Sequence, residues 1–282
     1  MLPEPYTPVY DSQLACWTLR SYCDVRAAFE DRRFTIAPSP VDEELHTLGL
    51  RRAMAGFDLD AWKRSLAGLP FVTGATELLE EVAEPWCHAA ALSLVGLSAD
   101  ARLLALARAA FAYGARPWDS TLADSSVQLA SLLPPVLGPV TTQAFVAVSQ
   151  SLTAFLATAW AMLLQQGLRE APVEELLRVA GPSQVQFRWF QGVKVGLCVG
   201  AANRDVARFG ADADLIDPGR DARGHLAFGY GAHACLGAAL TRTAAAVAMP
   251  FFAEHYGGAK LVEVRMPEEP VAVRKPLAVR IA

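Results

Sequence analysis

The sequence predicts a mainly α-helical fold with a small β portion, and three observations carry that expectation. Helical spacing covers residues 43–67, and two Ala/Leu-rich helical stretches follow at 75–96 and 98–113. Between Asp124 and Arg169 there is no charged residue and no histidine, and this run holds the longest helical pattern, residues 136–166. Strand-like composition is confined to short stretches, chiefly 184–200 and the final 25 residues. With 282 residues, 53% of them apolar, the chain can bury a substantial core. It shows no repeat, linker or low-complexity tract and reads as a single domain over 1–282.

Taken in order, residues 14–29 read as a strand followed by a short helix. The helical segment 43–67 comes next, and then the pair 75–96 and 98–113, split at "GLSAD" with Ser98 as the expected N-cap of the second. Residues 115–126 read as a loop ahead of the apolar 136–166 helix. Pro172 suits the first turn of a helix over "VEELLRVA", which "GPS" ends. The strand-like stretch 184–200 is followed by irregular chain over 203–227, with "ANRD" and "DPGR" as turn signals. A further Ala-rich helix runs from Leu236 to Met249, and "KLVEVRM" and "PVAVRKPLAVRIA" alternate like short strands.

Composition narrows the function classes. A net charge of −4 offers no basic footprint for nucleic acid. The five cysteines are Cys16, Cys23, Cys87, Cys198 and Cys235; their odd count and lack of a CxxC pair argue against a disulfide framework or a zinc cluster. The opening "MLPEPYTPVYDSQ" has neither a basic nor an apolar signal region, so a reducing cytoplasm is expected. The uncharged run is long enough to span a bilayer. It is interrupted by Pro134, Pro135, Gly138 and Pro139 and lacks strongly basic flanks, so a buried core helix and no membrane are expected.

One stretch points to chemistry. In "FGYGAHACLG", residues 228–237, Cys235 sits among glycines at the start of a helix. The helix dipole and free N–H groups there favour a thiolate, and glycines let backbone pass close to a flat ligand. This stretch resembles the heme-binding loop of the cytochrome P450 family at every fixed position: Phe228, Gly229, Gly231, His233, Cys235 and Gly237. Other motifs follow in family order. "EELLR" supplies Glu175 and Arg178, three apart on one helix face. With "AANRD" (201–205) and Arg220 of "DPGR", they resemble the family's structural Glu-Arg-Arg lock. Arg188 in "FRW" resembles the strand arginine that meets a heme propionate, and "LRSYCDVRAAFEDRRF" resembles the early strand–helix unit. "ELHTLGLRR" is looser: His46 with Arg51 and Arg52 stands near where the family places a propionate-binding pair, but five and six residues apart instead of four.

The resemblance implies a compact, truncated cytochrome P450-like fold holding heme b (iron protoporphyrin IX), with Cys235 as the iron's thiolate ligand. His233 and Arg188 would face the propionates. It implies a monooxygenase-type tailoring step on a small-molecule substrate in secondary metabolism, with a ferredoxin-type redox partner. The pattern also departs from the family. The long central helix usually carries an acid followed by Thr, which relay protons to dioxygen. Aligned on its paired threonines, "LGPVTT" keeps Gly138, Thr141 and Thr142 as catalytic candidates but has Val140 in the acid's place. Pro139 should kink that helix. The lid region, about 115–135, is too short for the family's two further helices, leaving Leu132, Leu133 and Val136 as an exposed apolar patch. These departures make peroxide-driven or non-oxidative heme chemistry the expectation. They keep open a catalytically silent helper that binds a partner enzyme, and a homo-oligomer that closes the site.

Overall fold

The structure, a computed structural model, describes residues 2, 4–36, 51, 54–115, 122, 124–268 and 272–282. A five-stranded sheet holds β1 (Val9–Asp11), β2 (Cys16–Leu19), β3 (Phe34–Thr35), β4 (Gln186–Phe190) and β5 (Val193–Leu197), in the order β1-β2-β5-β4-β3. β2 runs parallel to β5, pairing Trp17 with Val195 and Leu19 with Leu197; the remaining pairs are antiparallel. β4 and β5 form a tight hairpin whose two turn residues, Gln191 (φ 50°) and Gly192 (φ 79°), both take positive φ, as a two-residue turn matched to strand twist requires. Helix α1 (Tyr22–Glu30) starts where the Ser21 hydroxyl accepts the Asp24 N–H. It packs Tyr22, Val25 and Phe29 with Leu19, Phe190 and Leu197 of the sheet into a small core.

The larger core belongs to the helices. α2 (Leu59–Ala67) is capped by Asp58. A π-turn, Leu79–Ala83, leads into α3 (Glu84–Val95), and α4 (Ala101–Ala115) and α5 (Asp124–Leu132) follow. Trp86, Phe145, Phe155, Trp160 and Phe252 are fully buried at the centre, with Trp160 and Phe252 stacked at 5.2 Å. After two single-turn helices, α9 (Val199–Ala202) and α10 (Val206–Phe209), come the 18-residue helix α11 (Ala238–His255) and the antiparallel pair β6 (Leu261–Arg265) and β7 (Ala278–Ile281).

Several expectations need correction. Ser98 does not cap α4; the Asp100 carboxylate accepts the Arg102 N–H and takes that role. The helix expected to end at Met249 runs through Pro250, because the turn lacking its hydrogen bond, Ala246 to Pro250, lies on an exposed face. Within the expected 115–126 loop, helix α5 already begins at Asp124. It packs on α4, burying Leu129 and Leu133. Leu132 and Val136 are exposed as expected, but Leu133 is not. The expected 136–166 helix is not uniform: a 3₁₀ turn (Gly138–Val140), α6 (Thr141–Val146), a π-turn (Ala147–Ser151) and α7 (Leu152–Gln165) follow one another. Pro139 starts this assembly instead of kinking it, since a residue without an N–H suits a first turn. The stretch Thr141–Gln165 is long and apolar enough to cross a membrane, but 72% of its most apolar window is buried inside the protein. Its apolar surface is therefore used by the core.

Helix α8 (Val173–Ala180) carries the buried ionic centre. Arg178 donates through Nε and Nη2 to the two Glu175 oxygens, both at 2.7 Å, and neither side chain has any solvent exposure. Arg220 Nε reaches the same carboxylate at 3.1 Å. Arg178 Nη1 also donates to the carbonyls of Asn203 (2.7 Å) and Ala213 (2.6 Å), pinning the irregular 203–220 segment to α8. The three residues expected to form a lock therefore meet. Glu175→Ala would leave the buried Arg178 guanidinium without a carboxylate and Arg220 with only the more exposed Asp212 and Asp217, and we expect a loss of about 3–5 kcal/mol in unfolding free energy, read from urea melts. A loss below about 1 kcal/mol, the range of an exposed pair, would contradict it.

Candidate functional site

A cavity of about 470 Å³ opens between the cysteine loop and the central helix. The loop side is built by backbone geometry. Gly229 and Gly231 take φ of 67° and 73°. A Cβ on Gly231 would stand 2.9 Å from the Phe29 carbonyl, so only glycine fits against α1 there. The Cys235 N–H donates to the Phe228 carbonyl at 2.8 Å, folding the loop back so that the sulfur stands before the first turn of α11. The backbone N–H groups of Gly237 and Ala238 donate to that sulfur. A Cβ on Gly237 would meet only Cys235 Sγ, at 3.7 Å, and would project into the cavity. Phe228, His233, Cys235 and Gly237 all line the cavity.

The sulfur is accessible from the cavity while protein mass surrounds it on the other sides. Burial pushes its thiol above the ordinary cysteine value, and the two N–H donors and Arg242 only partly offset this. The helix start thus works against burial at this sulfur, and a cation on the cavity side, as a coordinated metal provides, would further favour the thiolate.

Behind the loop lies a group that sequence reading missed. Arg242 on α11 donates to Glu174 at 2.6 and 3.0 Å, and His225 Nε2 lies 2.8 Å from the same carboxylate. The Arg242 guanidinium stacks over the Phe228 ring at 4.8 Å. The Arg242 hydrogen bonds hold the Glu174 carboxyl below its usual range, and burial lowers the His225 value. The signal was the doubled acid in "EELLR": Glu175 turns to the lock and Glu174 to the cysteine loop.

The propionate candidates divide. Arg188 is buried on β4 and donates to the Gln186 side chain at 3.3 Å; Gln186 lines the cavity. Arg51 Nη2 donates to the Ala232 carbonyl at 2.9 Å, which brings it to the turn that carries His233. His46 and Arg52 lie outside the described residues.

The opposite wall is a stripe of the central helix: Ala144, Ala147, Val148, Ser151, Leu152 and Phe155. Thr141 and Thr142 are not in this wall. Thr141 Oγ1 accepts the Leu137 N–H and donates to the Gly138 carbonyl, both at 2.9 Å, so it is taken up in closing the 3₁₀ turn ahead of α6. The π-turn instead faces the cavity and reads "AVSQS". Ala147, Gln150 and Ser151 have the same spacing as Leu137, Val140 and Thr141, ten residues earlier, and Val140 lines the cavity farther along. Behind the turn, Lys275 Nζ donates to Gln150 Oε1 and to Glu84 Oε1, both at 2.9 Å, and Arg108 donates to both oxygens of Glu84.

With this geometry fixed, comparison with known proteins decides the relationship. No protein-family model matches the chain. Cytochrome P450 105C1 of Streptomyces is 40% identical over 109 residues, 34% of this chain and 28% of that protein. The biotin biosynthesis cytochrome P450 of Bacillus subtilis is 39% identical over 100 residues, 29% of this chain and 25% of that protein. Among solved structures, P450BioI in complex with an acylated acyl carrier protein superposes with a TM-score of 0.79 at 18% identity, over 99% of this chain and 95% of that one. The chain is a cytochrome P450 homologue. Mycobacterium smegmatis CYP164A2 also matches this cytochrome P450 fold, with a TM-score of 0.79 at 19% identity over 98% of this chain. The sequence matches span about a quarter of these two curated cytochromes P450.

The residues present fit a heme. The cavity has a sulfur held by two N–H donors, a glycine edge beside it that a Cβ would fill, an apolar helix wall opposite, and Arg51, Arg188 and His233 at its border.

The Glu84 carboxyl, buried beside Arg108 and Lys275, is lowered from 4.5 to about 2. Burial is the largest single influence and opposes the shift, but the hydrogen bonds and charges of the two cations together outweigh it. Its contribution to stability is complete above the unfolded value near 4.5 and is lost as pH falls towards 2, a swing on the order of 3 kcal/mol. Between pH 4.5 and 2 the wild type should therefore lose more thermal stability than Glu84→Gln. Parallel melting curves across that window would contradict it.

Proposed function

We propose that the chain binds heme b (iron protoporphyrin IX) through Cys235 and serves as a heme-thiolate oxidoreductase in a tailoring reaction on a small, uncharged, apolar molecule. The observation that carries this reading is the Cys235 sulfur, held by the Gly237 and Ala238 N–H groups and facing a 470 Å³ cavity. When bound, the heme would supply oxidative chemistry at its iron. Cys235 would hold the metal from one side, with its charge balanced by the two N–H donors and Arg242. Arg188, His233 and Arg51 would orient the propionates. The helix wall excludes water and packs apolar substrate. Among the described lining residues the ionisable side chains are Cys235 and His233, and the apolar helix wall opposite suits an apolar substrate.

Proton handling sets this chain apart. Ser151 presents a hydroxyl from the π-turn, but its neighbour Gln150 is an amide and carries no acidic proton near neutral pH. Proton delivery to a reacting oxygen would lack its acid, which favours an oxidant that arrives already protonated, such as hydrogen peroxide. A ferredoxin-type partner would serve the slower, electron-driven route. The mycinamicin IV hydroxylase/epoxidase of Micromonospora griseorubida (46% identical over 70 residues) and the pentalenic acid synthase of Streptomyces avermitilis (37% over 114) support a place in secondary metabolism.

Reduced protein under carbon monoxide should show the red-shifted band of a thiolate ligand, and Cys235→Ala should lose it; identical spectra would overturn the assignment. Wild-type turnover should be faster with peroxide than with a ferredoxin and its reductase. Gln150→Glu, which restores an acid, should raise the ferredoxin-driven rate, by up to about 10²-fold where the acid is the main deficit. Rapid, well-coupled ferredoxin-driven turnover by the wild type would sink the peroxide preference. A heme-loaded protein inert to both oxidants would favour the partner-binding helper.

A further inference from the structure

The group behind the π-turn is unlike an ordinary surface ion pair. Gln150 is 1% exposed and Glu84 3%, and the Lys275 side chain is 19% exposed. They come from three separate elements: the central helix, α3 and the segment before β7. A π-turn inserts a residue into the helix ladder and needs local support. Part of that support is visible, since the Thr153 hydroxyl donates to the Ser149 carbonyl at 2.7 Å. The Ser149 hydroxyl and Gln150 Nε2 are buried without partners. The Lys275 bond to Gln150 Oε1 is therefore the hydrogen bond that ties the turn's polar side chains to the rest of the protein among the described residues.

Lys275 is itself held in place. The preceding Arg274 N–H donates to the Pro182 carbonyl at 2.8 Å, and Val273 bridges Ser183. Val273, Pro182 and Ser183 all line the cavity. One segment thus contributes Val273 to the cavity wall and, two residues on, Lys275 to the back of the opposite wall.

We propose that Lys275 is a positioning residue: its ammonium, neutralised by Glu84, clamps Gln150 and so fixes the π-turn that presents Val148 and Ser151 to the cavity. The amide at position 150 gives Lys275 an acceptor oxygen without adding a charge to the group in which Arg108 and Lys275 share Glu84 Oε1.

The proposal rests on the heme-thiolate reading only for its second readout. Amide hydrogen exchange on the full chain is the first. Lys275→Met and Gln150→Leu remove opposite ends of one bond, and each should speed exchange at residues 147–151 by about tenfold while residues 158–164 of α7 change by less than about twofold. If Lys275→Met fails to fold, Gln150→Leu alone carries this arm. In the double variant Glu84→Gln with Gln150→Glu, the neutralising carboxylate moves onto the turn, and exchange should return to within about threefold of wild type. The second readout is optical titration of the heme-loaded protein with imidazole. Its dissociation constant should shift by about fivefold or more in both single variants and recover in the double variant. Wild-type exchange at 147–151 in Gln150→Leu, or equal loosening throughout α7, would overturn the clamp. A chain that takes up no heme would remove the heme-thiolate reading and leave the exchange result to decide the clamp.

Discussion

The carboxylate of Glu175 is the constraint on which the rest of this molecule depends. It lies without solvent exposure between the guanidinium groups of Arg178 and Arg220. Such clusters are expensive to desolvate, and replacing them with apolar residues can leave a fold equally stable. Its value here is in what it connects. Arg178 holds the Asn203 carbonyl, and the Asn203 side chain in turn accepts the Leu226 N–H at 2.6 Å. Two residues later Phe228 begins the loop, and its carbonyl receives the Cys235 N–H. A few hydrogen bonds thus run from the ionic centre to the reactive sulfur. The position of Cys235 is set by the core of the protein, not by the flexibility of a glycine-rich loop.

The two walls of the cavity differ in how they are held. The cysteine side is fixed by backbone: glycines at positive φ, N–H groups on sulfur, and the Glu174–Arg242–His225 group behind it. The helix side is fixed by side chains that reach in from distant elements, because a π-turn leaves part of its own ladder open. The cysteine side keeps every fixed position of the loop pattern, whereas the π-turn on the helix side carries Gln150 and Ser151.

What the sequence revealed divides along the same line. The cysteine loop, the Glu175–Arg178 spacing and the strand character of 184–200 were legible because each is a local pattern. The register of the central helix was not. Paired threonines at 141 and 142 offered a plausible match, but Thr141 is bonded to the Leu137 N–H and the Gly138 carbonyl in the turn before the helix. No periodicity marks a π-turn, so "AVSQS" looked like ordinary helix. Glu84, Gln150 and Lys275 are separated by up to 191 residues, and only the folded chain brings them together. The cap at Asp100 and the helix through Pro250 were missed for a smaller reason: two-residue shifts of cap position and exposed prolines are settled by tertiary packing.

The central claim is that Cys235 supplies a sulfur ligand to a heme iron. X-ray absorption at the iron edge of the heme-loaded protein tests it most directly. A sulfur neighbour in addition to the porphyrin nitrogens, replaced by a light atom in Cys235→Ser, is the result this account predicts. An iron shell of nitrogen and oxygen alone in the wild-type protein would contradict it.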